Sequence, residues 1–209
     1  MKIDLHIHTS ERSGCGKSTE AEMIRAAKAA GLGAIALTDH GALAPSLHLA
    51  ELNRLHHPFR IFPGIEIECE DEHIVVVGLE EGALERDGWS YEALYRFVAR
   101  KGGFLFLAHP FRYHDHINVD VDAFPPGGVE IDSKNMADVD RQLLDDFFAR
   151  TGLAPLCNSD AHDAETVGLY HNTLQRSPAD PVDLVRILRE GRFACGDRPD
   201  VRFMRKESS

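Results

Sequence analysis

The stretch "DLHIHTSERSGCGKST" (residues 4–19) admits two readings, and they lead to different chemistry. Its second half, "GCGKS", lies between a strand-like run and a helix-like one, where a phosphate-binding glycine loop would sit. In its first half His6 and His8 alternate on an apolar run, and a strand period of two puts both imidazoles on one face. The glycine-loop pattern G-x-x-x-x-G-K-[ST] requires glycine at position 11, where this chain has Glu11. A carboxylate where backbone must wrap phosphate is wrong in shape and in charge. The stretch is therefore read as a metal-type strand end followed by a first β/α loop. Ser18 or Thr19 caps the next helix. Lys17 and Arg12 are loop cations, available to an anionic substrate or simply solvated.

Outward from this stretch, strand-like and helix-like segments alternate. Residues 2–8, 33–38, 60–69, 73–79, 104–110, 128–132 and 153–162 read as strands, with a short one around 169–174. Residues 19–31, 45–57, 90–103, 138–152 and 181–190 read as helices. Thr19 and Glu22 have capping-box spacing, and Met23, Ile24, Ala27 and Ala30 form an apolar face. Such alternation implies an α/β domain with a largely parallel sheet. About 250 residues is typical of an eight-unit barrel, so 209 residues point to a compact, irregular barrel or a doubly wound sheet. One domain over 1–195 and a frayed tail over 196–209 are expected.

The formal net charge is −11, which argues against a general nucleic-acid binder with a basic face. A small anionic substrate remains compatible, because bound cations dominate the local field. No apolar run reaches the roughly 20 residues of a membrane span, and the start turns polar too soon for a signal peptide. A cytoplasmic location is expected. Cys15, Cys69, Cys157 and Cys195 are scattered, and are read as reduced.

The decisive pattern is at the strand ends. His6 and His8, Thr38-Asp39-His40, Glu66, His109-Pro110, Glu130 and Asn158-Ser159-Asp160-Ala161-His162 each close or occupy a strand, and His73 opens the hairpin partner of the Glu66 strand. Parallel α/β folds build their sites at the carboxyl ends of strands. Imidazoles and carboxylates are ligands of zinc, manganese or iron. Glu66 alone could be an outward residue beside Glu68 and Glu70. Repetition of ligand-type residues at nearly every strand end favours a shared metal cluster.

The ordered set His6-x-His8, Thr38-Asp39-His40, Glu66, His73, His109-Pro110 and Asp160-x-His162 resembles the PHP superfamily (polymerase and histidinol phosphatase domains). The resemblance implies a distorted seven-unit β/α, TIM-like barrel with a cluster of two or three divalent ions. It implies that His6, His8, Glu66 and Asp160 hold one ion, and that Glu66 bridges to a second bound by His73 and His109. His40 and His162 fall at a third position. There the chain departs from the family, offering Glu11, Ser13 or Cys15 where an Asp or His is usual. A binuclear cluster is favoured, because the glycines flanking Cys15 leave its direction unspecified.

The resulting expectation is a metal-dependent phosphoesterase acting on a small phosphorylated substrate, a mono- or diester. Glu66 is expected to bridge the ions, and His162 and His40 to protonate the leaving oxygen. Arg112 is the expected phosphate clamp, since guanidinium matches phosphate oxygens. His114, Asp115 and His116 are read as lid or loop. Hydrolysis of an amide or cyclic substrate on the same metals is the alternative, and a non-catalytic metal-binding regulatory domain is the third reading.

Overall fold

The computed structural model describes residues 1–136 and 138–196. The tail expected over 196–209 lies, beyond Gly196, outside the described residues. Nine strands form one sheet in the order β7-β6-β5-β4-β3-β2-β1-β8-β9. In chain order the strands and helices are β1 (Lys2–Asp4), α1 (Glu20–Ala29), β2 (Ala34–Leu37), α2 (Ser46–His56), β3 (Arg60–Cys69), β4 (Glu72–Val77), α3 (Tyr91–Lys101), β5 (Phe104–Leu107), β6 (Val129–Asp132), α4 (Arg141–Thr151), β7 (Pro155–Cys157), β8 (Asn172–Leu174), α5 (Pro181–Arg189) and β9 (Phe193–Cys195).

The sheet curls into a nearly closed barrel. β1, β2 and β3 run parallel, as do β5, β6 and β7, while β4 and β8 are antiparallel to both neighbours. This corrects the expectation of seven repeated units. β3 returns as β4 through a tight turn in which Glu70 and Asp71 have φ of 54° and 66°, so no helix separates them. β8 and β9, joined through α5 and antiparallel to each other, then fill the seam beside β1. β9 was not anticipated, because "FAC" is too short to show a period.

Two devices hold the seam. Asn172 of β8, fully buried, accepts from Cys157 N (3.1 Å) and donates to Cys157 O (2.9 Å) and to Asn158 Oδ1 (2.8 Å). A Cys157–Cys195 disulfide with Cα atoms 5.3 Å apart joins β7 to β9. Two of the four cysteines expected to be reduced are thus paired. Their separation of 38 residues carried no signal of this, because a pairing across a seam depends on the closure.

The barrel interior is apolar below and ionisable above. Ile3, Leu5, Ala36, Phe62, Val75 and Phe106 pack inside, and Leu184, Ile187 and Leu188 of α5 join them from below. Alternation carries that inward face upward, from Phe62 through Gly64 to Glu66 and from Val75 to His73. β1 breaks the rule usefully. Its ladder stops at Asp4, because the next backbone N–H groups turn to side chains: Leu5 N to Asn158 Oδ1, His6 N to Asp4 Oδ1 and Ile7 N to Thr38 Oγ1. Leu5 still faces the interior, whereas Ile7 packs outward with Met23 and Ile24 of α1. The slip of phase between Leu5 and His6 turns both histidines inward.

Helix boundaries follow their caps. Thr19 and Glu22 form the expected capping box, Ser90 caps α3, and Gly102 ends α3 with φ of 79°. Among the described residues no helix is long and apolar enough to cross a membrane.

Asn172→Ala is expected to destabilise the fold by about 3 kcal/mol, since it strands a buried N–H and a buried carbonyl of Cys157. Urea unfolding measures this; an unchanged midpoint would show that the seam does not depend on Asn172.

Candidate metal centre

Most ligand-type residues at the strand ends point to one spot above Phe106, Asp39 being the exception, bonded instead to Thr9, Ser13 and Arg12. The Glu66 carboxylate is its middle. Oε2 lies 3.3 Å from His6 Nε2, 3.1 Å from His8 Nε2 and 3.0 Å from His40 Nδ1. Oε1 lies 2.8 Å from His73 Nδ1 and 3.2 Å from His109 Nε2. Asp160 Oδ1 stands 3.4 and 3.3 Å from the same nitrogens of His6 and His8, and 3.7 Å from His162 Nδ1. Among the described residues four compact donor sets result: His6, His8 and Glu66; His6, His109 and Asp160; His40, Glu66 and His73; and His8, Cys15, His40 and His162.

These residues fit divalent ions. Glu66 Oε2 is buried and makes no hydrogen bond although three ring nitrogens crowd it. A buried carboxylate oxygen without a donor is costly, and a cation at that point would satisfy it together with the imidazole lone pairs. His109 and Asp160 hold their positions in left-handed backbone, with φ of 25° and 49°. Such non-glycine conformations cost on the order of 1–3 kcal/mol each and are typical of positions shaped for function.

A surrounding shell orients the rings. Glu130, fully buried at the inner end of β6, faces His6 Nδ1 at 2.9 Å, accepts from Asn158 Nδ2 at 2.8 Å and from His109 N at 2.9 Å. A carboxylate on Nδ1 leaves Nε2 of His6 as the ligand atom. Ser13 Oγ lies 3.3 Å from His8 Nδ1, donates to Asp39 and accepts from His40 N. Asn135 Nδ2 donates to Asp160 Oδ2 at 2.5 Å.

Burial opposes every charge here, and the groups compensate one another. It disfavours the His6 imidazolium, yet Asp160, Glu66 and Glu130 lift the His6 pKa well above 6.5. Burial also works against protonated His8 and His73, and the Asp160 and Glu66 carboxylates (Glu66 for His73) raise both. Desolvation would raise Glu66, but His6, His109 and His73 hold it well below 4.5. Nearer the mouth, burial first and neighbouring imidazoles next push His40 down to about 4, against the pull of Glu66, and lower His162.

A family model described as the PHP domain matches residues 4–172. The chain belongs to the PHP family. Comparison with curated proteins returned no match. Solved structures of similar shape include a two-domain protein from Bacteroides vulgatus containing a predicted PHP-like metal-dependent phosphoesterase, at 16% identity and a TM-score of 0.69. That likeness covers 95% of this chain, which spans 65% of the other. PsfC from Pseudomonas syringae matches at 20% identity and TM-score 0.69 over 96% of this chain and 92% of its own. A lesion-specific endonuclease from Pyrococcus furiosus matches at 16% and 0.63, over 90% of this chain and 56% of that one. At these identities the likeness is one of fold.

Within this PHP domain the eight residues expected at the metals, His6, His8, His40, Glu66, His73, His109, Asp160 and His162, all converge. Glu66 is 1% exposed while Glu68 faces solvent, so the outward-strand alternative for Glu66 does not hold. The expected substrate-binding cations divide. Arg112 and Lys17 line a cleft of about 420 Å³ beside His162, and Arg112 Nη1 lies 3.5 Å from Asp160 Oδ2. Arg12 is elsewhere: its guanidinium bonds Asp39 at 2.8 Å and Glu20 at 2.7 Å, which ties the first loop to α1. Glu11 accepts from Glu20 N at 2.9 Å and takes no part in the ligand cluster. His116 pairs with Asp115 in the exposed loop, outside the ligand cluster. Sequence reasoning passed over Lys134 and Asn135, which line the Arg112 cleft, and Tyr113, whose ring stands 5.8 Å from His73 and 6.1 Å from His109. Glu130 had a signal, as a carboxylate in an apolar strand.

Two outcomes are expected of metal loading. Because His6, His8 and His73 carry raised pKa values, binding must displace protons, and apparent affinity should rise with pH above 6.5. Calorimetric titration in buffers of different ionisation enthalpy reads the released protons; none released at pH 7 would contradict the raised values. Glu130→Gln should weaken metal binding about 10–100-fold with the fold retained. Competition against a chelator measures it, and equal affinity would reduce Glu130 to a structural residue.

Proposed function

We propose that this PHP domain is a metal-dependent phosphoesterase that hydrolyses a small phosphorylated substrate at two or three divalent ions, zinc, manganese or iron. The observation that carries this reading is the placement of Lys17, Arg112 and Lys134 around one cleft beside the carboxylate–imidazole cluster, in a chain of net charge −11. Cations gathered against the overall sign of the protein attract an anion to that mouth. When bound, the ions supply Lewis acidity and an acidified water.

The chain's own residues do the rest. Glu66 sets the spacing of the inner ligands by presenting one oxygen to His73 and His109 and the other to His6 and His8. Glu130 and Ser13 fix the tautomers of His6 and His8. Arg112 is held within reach of Asp160 and over the Tyr113 ring at 5.0 Å, so its guanidinium is positioned to clamp phosphate oxygens. Lys134, 3.1 Å from Asp163, and Lys17 add positive potential at the rim. Were only the inner donor sets filled, His162, which lines the Arg112 cleft, and His40, beside Glu66, would be left to move a proton at a leaving oxygen. The acidic balance of the chain favours a small substrate over a nucleic-acid polymer, although one protein of similar fold is an endonuclease.

The test is turnover of a panel of phosphomonoesters, phosphodiesters and amides after loading with zinc, manganese or ferrous iron. Phosphoester hydrolysis is expected, with Arg112→Ala raising KM about 10–100-fold, the loss of one charge-assisted contact. Turnover confined to amides, or an Arg112→Ala enzyme with unchanged KM, would sink the phosphate reading.

A further inference from the structure

Cys15 belongs to a loop that is pinned along its length. Ser13 N donates to Thr9 O, Gly16 N to Ser13 O, and Lys17 N to His162 O at 2.7 Å. Gly16 lies so close to Thr9 that a Cβ there would sit 2.5 Å from the Thr9 carbonyl. The glycine therefore admits a close backbone approach, and the turn it allows directs the thiol. This overturns the expectation that the glycines leave Cys15 undirected.

The thiol arrives among ring nitrogens. Cys15, His8, His40 and His162 each offer a ligand atom, all within 4.8 Å of one another. His8 is already engaged, with Nε2 facing Glu66 and Asp160 and Nδ1 facing Ser13 Oγ. His40 turns Nδ1 toward Glu66, and His162 turns Nδ1 toward the Asp160 carbonyl at 3.0 Å, which leaves Nε2 on each ring. One sulfur and two nitrogens remain, with an open side on the cleft that Cys15 and His162 share with Lys17, Arg112 and Lys134.

We infer that Cys15 is a thiolate ligand of an outer metal ion, held with His40 and His162, whose fourth position is open to a substrate phosphate oxygen. This rests on the metal-centre reading and deepens it. Three protein ligands with one vacant position is the pattern of a catalytic metal site. As sulfur binds, the thiol releases its proton to solvent, and no electron changes hands. Thiolate with imidazole selects zinc or ferrous iron over magnesium or manganese. The outer position is therefore chemically unlike the oxygen- and nitrogen-lined inner ones. It converts His40 and His162 from proton donors into ligands. It also makes the centre sensitive to thiol reagents, since Cys69 is buried, Cys157 and Cys195 are paired, and Cys15 is exposed.

Titration of the metal-free protein with cobalt(II) under argon tests this. About three ions per chain are expected, with a thiolate-to-cobalt charge-transfer band in the near ultraviolet that grows with the last of them. Cys15→Ser should hold about two ions and lack the band. Cys15→His, which keeps a ligand and removes the sulfur, should regain the third ion without the band. Zinc should slow alkylation of Cys15 by iodoacetamide about tenfold or more. Two ions and no thiolate band in the unaltered protein, or a Cys15→Ser variant that keeps the third ion at equal affinity, would overturn the assignment and leave the inner pair standing. Binding of no cobalt at all would overturn the metal-centre reading itself.

Discussion

Five imidazoles lean on one carboxylate. Glu66 is buried at the top of a nearly closed apolar barrel, where burial strips most of the solvation from its charge. An isolated carboxylate in such a place would take up a proton. The ring nitrogens of His6, His8, His40, His73 and His109, all within 3.3 Å of it, keep it ionised. The rings come from four separate parts of the chain, His6 and His8 sharing one, so the barrel must close before the charge is matched. Fold and site are for that reason one cooperative object: the seam held by Asn172 brings Asp160 to His6 and His8, and the hairpin of β3 and β4 brings His73 to Glu66.

Much of this was legible in the residues. Strand positions, the capping box at Thr19 and the converging ligand set all follow from periodicity and from where polar residues end apolar runs. The inward orientation of Glu66 was not decided by alternation alone, because Glu66, Glu68 and Glu70 share one phase. What separates them is height: Glu66 lies within the barrel and Glu68 beyond its rim. The β3–β4 hairpin was legible too, since the acidic turn between its two apolar runs leaves no room for a helix. The antiparallel placement of β8 beside β1 was harder, because a strand of three residues carries no period of its own. β9 and the Cys157–Cys195 bond depend on seam closure, which brings together residues 38 apart.

Loop cations were the other weak point. Arg12 and Arg112 look alike in sequence, yet Arg12 neutralises Asp39 and Glu20 while Arg112 stands at the cleft with Asp160. Both aspartates are buried, so the number of partners decides: Arg12 bonds Asp39, Glu20 and Thr9, whereas Arg112 meets Asp160 at 3.5 Å and stays more exposed. Asp39 is buried at the root of the first loop and needs Arg12 together with Thr9 and Ser13. The same network holds Ser13 against His8, so a residue expected to be a substrate contact instead braces a ligand.

The lower end of the barrel has a further consequence. α5 drives Leu184, Ile187 and Leu188 into the interior beneath Leu5 and Phe106, and all three are essentially without solvent contact. Among the described residues the barrel therefore has an apolar floor, and its clefts open at the upper end. On the phosphoesterase reading proposed above, substrate, water and products would all pass at this upper end, where one cleft is lined by Arg112 and Lys134 and another by His40, Glu66 and His73. Nothing leaves through that floor. On the same reading a released phosphate would retreat over the ground the next substrate must cross, and product would compete with substrate for the cations at the rim.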